Sequence, residues 1–427
     1  MSMPRHFTWV LADIRIIFAT SGLRSYSYGF FSILLGLYLG KEGFTAPQVG
    51  AILAVMQVGG AALTLLVSLL ADRWGRRRSL VALSLLSIAG GIALGLVGGF
   101  WAIMAVAALG NLTATARDRG SFSSLEQAML AEASSPRHRN MTFGYYNALA
   151  SLASALGNLS SGIPILLALL LPALGDRDPI RVMFFLYAGI AALTAGLYTR
   201  LTPATEAPQQ GRYTLLVPGP SRVIVFKLAG LYAIDALGGG FIVHSFLAYW
   251  FSVRWGLELG SLGAVFFAAG LLNTFSQVAA AWLANRVGLL KTMVLTHIPS
   301  SLFLIGAALA PSAWLAVALY LGREALSQMD VPTRQSYTVA VVAPEARTAA
   351  AGITTLSRNG ASSIGPYLAG LTTGALSLAA PLLLGAGIKI VYDLLVYVTF
   401  RGVRPPDEAA LAGAGMKAPG EEHPHRR

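Results

Sequence analysis

The chain has 427 residues, of which 55% are hydrophobic and 12% charged, with 31 Lys and Arg against 19 Asp and Glu and no cysteine. Soluble domains carry about 25% charged residues, so the composition excludes an ordinary soluble enzyme, and the missing thiols exclude disulfides and thiolate metal sites. The net charge of +12 points to a membrane surface rather than to nucleic acid, because most of the basic residues fall in short loops between apolar runs.

Those apolar runs are about 20 residues long, enough to cross a ~30 Å hydrocarbon layer as helices. Lipid offers no partner to a backbone N–H or C=O, so helices are the form they must take. In chain order the expected spans are 14–40, 48–70, 79–99, 101–131, 141–165, 180–200, 226–252, 261–284, 292–310, 313–341, 348–374 and 379–400. The fold class is therefore an all-α polytopic membrane protein with about twelve transmembrane helices. Arg24 interrupts the first apolar run and no small-residue cleavage site follows it, so this run reads as a retained helix rather than a signal peptide. Residues 201–225, with Pro203, Pro208, Gly211, Pro218 and Pro220, break the pattern and read as a cytoplasmic linker between residues 1–200 and 226–401. The tail 402–427, rich in Pro, Gly and charge, reads as disordered. Basic residues concentrate on one side, with Lys41, Arg177, Arg181 and Arg254 on the other, which places both termini in the cytoplasm.

The loop after the second span reads Ala71-Asp72-Arg73-Trp74-Gly75-Arg76-Arg77-Arg78, and a weaker copy, Ala284-Asn285-Arg286-Val287-Gly288, stands about half a chain later. The two halves also align: Arg24 falls on Asp235 and Tyr38 on Tyr249, and a second offset puts Pro136 on Pro344 and Gly157 on Gly365. Leu70, Ala71, Asp72, Arg73, Gly75, Arg76 and Arg77 match the loop signature of the major facilitator superfamily, which the chain resembles, while Ser68 stands where that signature has glycine. The resemblance implies two pseudo-symmetric six-helix halves, each with nested repeats, around a central cavity. It implies a gating loop, Asp72, Arg73, Gly75 and Arg76. Asp72 would be drawn to the start of the eleventh helix near Arg347, and Arg76 would pair with Glu126 on the fourth. In the drug–proton antiporter branch the fifth helix carries a Gly-Pro-rich hinge. Here the fifth has the degenerate Gly157-Asn158-Leu159-Ser160-Ser161-Gly162, and the eleventh the closer Gly365-Pro366-Tyr367-Leu368-Ala369-Gly370. Helix packing and a hinge both remain open for these glycines.

Charges inside spans cost at least ~2.5–3.5 kcal/mol each, so they face a cavity or a partner. Arg24 and Asp235 lie near mid-depth, matched by the repeat, and are read either as an ion pair between the halves or as a substrate or proton site. Arg117, Asp118, Arg119, Arg323, Asp330 and Arg358 are further candidates for substrate or coupling, together with Tyr28. Arg323, Asp330 and Arg334 recur at helical spacing. Lys389 and Asp393 are i,i+4 neighbours that can neutralise each other, and His244 and His297 read as packed residues. No metal spacing, cofactor motif or nucleophile–base set is present, so no enzyme, metal or cofactor is expected. The resulting expectation is a monomeric secondary transporter of the cell (inner) membrane, working by alternating access. Its partners would be a small organic molecule, protons and the bilayer, with no nucleic acid. Proton-coupled export of drugs or metabolites is the first reading and exchange or symport of organic anions the second, because the embedded bases suit carboxylate or phosphate. A non-transporting receptor is the remote alternative.

Overall fold

A computed structural model describes residues 8–116, 121–133, 139–170, 178–206, 221–343 and 346–403. Among these residues the chain is helical throughout and contains no strand. The helices are α1 (Thr8–Lys41), α2 (Ala46–Trp74), α3 (Arg76–Leu96), α4 (Phe100–Leu109), α5 (Ser121–Ala133), α6 (Arg139–Leu159), α7 (Ile163–Leu170) and α8 (Asp178–Tyr198). The second set is α9 (Ser221–Gly240), α10 (His244–Trp255), α11 (Leu259–Val287), α12 (Leu289–Leu309), α13 (Ala313–Ser327), α14 (Asp330–Ala340), α15 (Arg347–Ala375) and α16 (Ala380–Phe400).

Eight stretches are long and apolar enough to cross a bilayer: α2, α3, α6 with α7, α8, α9 with α10, α11, α12 and α16. The other four expected passes are α1, α4 with α5, α13 with α14, and α15. Helices α4, α5, α13 and α14 are each too short alone, and the four passes carry buried charges and hydroxyls, such as Arg24, Glu126, Asp330 and Thr354. Three of the passes are broken near mid-depth. Between α4 and α5 the chain turns at Asn111, whose φ of 46° is held by Nδ2 bonds to Leu83 O (3.3 Å) and Ser87 Oγ (3.2 Å). Pass seven breaks after Gly240, and pass ten at Gln328 and Met329. α9 begins at Ser221, so the helix takes in the last residues of the expected linker; residues 207–220 and 404–427 lie outside the described residues.

The loop between α2 and α3 is a single residue, Gly75, with φ of 105°. Gly288 plays the same part between α11 and α12, with φ of 90°. Positive φ is strained for any residue with a Cβ. The exposed amides that follow Gly75 are capped from a distance: Glu206 Oε2 accepts from Arg76 N at 2.6 Å and Oε1 from Arg77 N at 3.3 Å. A carboxylate there meets both the free amides and the positive end of the helix dipole.

Both glycine clusters serve close backbone packing. A Cβ on Gly157 would strike Tyr26 O of α1, one on Gly365 would strike Gly240 of α9, and one on Gly370 would strike Ala46 O of α2.

Candidate functional site

The halves meet tightly at one end. Gly50 at the start of α2 lies against Pro366 and Gly370 of α15. Asn158 Nδ2 donates to Phe266 O at 3.0 Å, and Ser161 Oγ to Leu259 O at 3.4 Å. The broken seventh pass adds a fourth contact, where Ser245 donates its N–H (3.2 Å) and its hydroxyl (3.0 Å) to Ala114 O in the other half. The first three lie near the ends of α2 and α11 that are remote from Gly75 and Gly288. Between this seal and the end that carries the two glycine turns lies a cavity of about 630 Å³, walled by residues of both halves, among them Ser21, Gln127, Tyr146, Asn273, Arg334 and Arg358. Its wall is mainly hydroxyl and amide. Asn158 and Asn273 also line it, and each keeps a buried Oδ1 with no hydrogen-bond partner.

A second chamber of about 120 Å³ adjoins it, lined by Asp235, His297, Arg323, Glu324, Arg334, Arg358 and Lys389 among others. Asp235 of α9 is the hub. Its Oδ1 accepts from Lys389 Nζ at 2.7 Å, and its Oδ2 from Arg358 Nη1 at 2.7 Å and Arg334 Nη1 at 3.3 Å. Arg334 is also bonded to Asp330 one turn away. Arg323 is bonded to its neighbour Glu324, whose Oε2 accepts from Asn273 Nδ2 at 2.8 Å. Arg358 and Arg334 line both chambers, so the network reaches the main cavity through guanidinium groups.

Two expected pairings are corrected. Arg24 does not meet Asp235; it forks onto Glu126, with Nη1–Oε1 at 3.0 Å and Nη2–Oε2 at 2.7 Å. Glu126 is also the acceptor for Thr20 (3.1 Å), Tyr198 (2.7 Å) and Tyr146 (2.7 Å). A carboxylate offers about four lone-pair sites, and five donors fill this one. Arg76 does not reach it here; the expected pairing belongs to a state closed at the end that carries Gly75, whereas this structure is sealed at the other end. Lys389 likewise bonds Asp235 rather than Asp393, and Asp393 instead holds His297 Nδ1 at 2.9 and 3.0 Å. The i,i+4 spacing places both side chains on the same face, but the partners across the helix interface compete better.

Of the other candidates, Tyr28 is buried with its ring 6.3 Å from Tyr187 and lines a small pocket of about 80 Å³ that shares Asn359 and Ser362 with the main cavity. Asp330, Arg323 and Arg358 join Asp235 around the small chamber, although the break at Gln328 interrupts the helical stripe expected of Arg323, Asp330 and Arg334. Arg73 is exposed. Arg117, Asp118 and Arg119 lie outside the described residues, as does the side chain of Asp72. Sequence reasoning passed over Asn273 and Tyr198, and read His297 only as a packed residue. The depth of His297, near the middle of a helix that carries no other buried charge, was the available signal for it.

A profile described as Major Facilitator Superfamily matches residues 17–327. The chain is 25% identical over 423 residues to the uncharacterized membrane protein YJR124C of Saccharomyces cerevisiae (strain ATCC 204508 / S288c), covering 92% of this chain and 94% of that protein. Among solved structures it resembles the nucleoside transporter NupG, with a TM-score of 0.70 and 16% identity over 92% of this chain and 99% of that one. It also resembles a bacterial homolog of the human lysosomal transporter Spinster, inward-facing and unoccupied, with a TM-score of 0.68, 14% identity and coverage of 92% and 95%. The human organic anion transporter MFSD10 (TETRAN) follows, with a TM-score of 0.60, 16% identity and coverage of 92% and 100%. At such identities these structural likenesses establish the fold alone.

Proposed function

The chain belongs to the major facilitator superfamily, and from that membership and the charges around its cavity we propose that it carries small organic anions across a membrane by alternating access. The observation that carries this reading is Arg358. Its side chain is 20% exposed and borders the main cavity, while it shares the single carboxylate of Asp235 with two other cations. A guanidinium so placed matches a carboxylate, sulfonate or phosphate in a bidentate fork. An entering anion relieves the crowding of three cations on one acceptor, and Asp235 holds the place of that anion while the cavity is empty.

Proton-coupled export of drugs or metabolites, the first expectation from the sequence, draws on less. It leaned on the gating loop, which does not select a cargo, and on glycine clusters that make close helix contacts. The test is thermal unfolding of the purified protein with benzoate, gluconate, benzenesulfonate and glycerol phosphate against benzamide, glucose, benzyl alcohol and glycerol. A ligand of the native state raises its apparent stability. Shifts are expected from at least one anion, from no neutral counterpart, and not in Arg358→Gln. Equal shifts from a neutral counterpart would sink the reading.

A further inference from the structure

The contacts of His297 fix its tautomer. Lys389 Nζ, 3.3 Å from Nε2, can only donate, so Nε2 must carry the lone pair and Nδ1 the hydrogen that Asp393 accepts. Asp235, Lys389, His297 and Asp393 thus form one buried chain: ammonium on carboxylate, ammonium on imidazole, imidazole on carboxylate. Asp235 Oδ1 also lies 3.7 Å from the same Nε2, just beyond hydrogen-bond distance. Lys389 and the imidazole therefore compete for one oxygen, and Lys389 holds it only while Nε2 is bare.

Resting on the anion reading, we infer that His297 is the proton site of transport, and that a proton there exchanges Lys389 for imidazolium on Asp235 and releases Lys389 to the anion. The step is simple in its balance. A proton from the water-filled cavity adds to Nε2, and the Nε2···Lys389 hydrogen bond is lost. The new Nε2–H turns to Asp235 Oδ1. The displaced ammonium stays charged and moves into the small chamber it already lines, beside Arg334 and Arg358. The chain of four groups carries one negative charge with His297 neutral and none once it is protonated. A proton and an anion are thereby made to enter together: without the proton Lys389 is occupied, and without the anion the freed ammonium has no counter-ion in a chamber that disfavours a lone charge. On return to the other side, loss of the anion sends Lys389 back to Asp235 and expels the proton.

Histidine is the side chain whose ordinary titration falls in the physiological range, and the groups that face this one are all accounted for. α16 contributes Asp393, Lys389 and the Tyr392 ring, 6.1 Å away; α9 contributes Asp235. Across the shared chamber α14 presents Asp330 bonded to Arg334, α13 presents Arg323 bonded to Glu324 together with Tyr320, and α15 presents Arg358 bonded to Asp235. α11 contributes Asn273, which does not titrate.

The test measures affinity for benzoate, gluconate and benzenesulfonate, none of which titrates between about pH 6 and 8, by thermal shift in the wild type and in His297→Gln. One linked proton weakens anion binding up to about tenfold per pH unit as the pH rises through the upper part of this range. That slope is expected in the wild type, and a flat, weak affinity in His297→Gln. Anion binding with no pH slope, or a slope that survives in His297→Gln, overturns the proton site and leaves the anion reading standing. No binding of any anion by the wild type at any pH overturns both. Should His297→Gln fail to fold, ring-nitrogen NMR of the wild type decides: adding the bound anion converts the Nε2 signal of His297 from lone pair to N–H, and an unchanged signal refutes the exchange.

Discussion

Removing Glu126 should cost the protein far more than removing Glu126 and Arg24 together. Arg24 is 4% exposed and Glu126 is 0% exposed, and their forked contacts at 2.7 and 3.0 Å are supplemented by a stack of the guanidinium on Phe122 at 4.6 Å. Glu126→Leu takes from Arg24 the buried carboxylate it forks onto, a loss of about 3–5 kcal/mol by comparison with other broken buried pairs. Arg24→Met with Glu126→Leu removes both charges and leaves only hydroxyls wanting partners. Thr20 keeps its bonds to Ile16 O and Ile17 O, both at 3.0 Å. Tyr146 borders the cavity and can turn to water. Only Tyr198 is then stranded, at about 1–3 kcal/mol. The double variant should accordingly be the more stable of the two by about 2 kcal/mol. Denaturant-driven unfolding in mixed micelles measures both. A double variant as unstable as the single one would mean that packing around Glu126, not charge pairing, sets the loss, and the account of this cluster as structural would be wrong.

Other outcomes follow from the same geometry. Asp235→Asn removes the internal competitor for Arg358, so anions should bind more tightly and exchange more slowly in proteoliposomes; weaker binding would show that Asp235 positions Arg358 rather than competing for it. Gly370→Leu should force α15 away from α2 at the sealed end. The chain has no cysteine of its own, so a single cysteine at Ser362 reports this cleanly, and its labelling from that side should rise; unchanged labelling would place the seal elsewhere. Asp72→Asn should raise labelling of cavity positions from the end that carries Gly75 and slow turnover, if the loop acid attracts the start of α15 when that end closes. Identical labelling in the variant removes the latch.

The helices, the two short loops and the pseudo-repeat were legible because each has a local cause. Apolar length dictates a span, and Gly75 and Gly288 mark junctions that only positive φ can make. The depth of Arg24 and Asp235 was legible too, since a charge interrupts an apolar run visibly. Their partners were not. Pairing depends on which helices pack side by side, and Glu126 on α5 and Lys389 on α16 lie far from Arg24 and Asp235 in sequence. The i,i+4 rule gave Lys389 to Asp393, yet that rule weighs only neighbours on one helix at a few tenths of a kcal/mol, and contacts across a buried interface outweigh it. His297 was read as a packed residue for a related reason: a lone histidine in an apolar helix has no sequence partner, and its Lys and two Asp come from α9 and α16.

The repeat adds a last argument about where coupling resides. Arg24 and Asp235 stand at matching positions of the two halves, one basic and one acidic, yet their surroundings differ in kind. Around Arg24 every oxygen of Glu126 is filled by a donor from its own half, with α1, α5, α6 and α8 locked together through one carboxylate. An arrangement so saturated has no second state of similar energy. Around Asp235 three cations share one carboxylate, Lys389 divides itself between two acceptors, and a vacant chamber lies alongside. Several pairings there differ only by which cation holds which oxygen, the kind of degeneracy that a proton or an anion can tip. Under the proposed function, the first half moves as one body and the second responds to what enters the cavity. On this view substitutions around Glu126 should change stability without changing the pH dependence of anion binding, whereas substitutions around Asp235 should change the pH dependence even where stability is kept. Measuring both quantities on Tyr198→Phe and Lys389→Gln separates the two roles; a shifted pH dependence in Tyr198→Phe would show that the first half takes part in coupling as well.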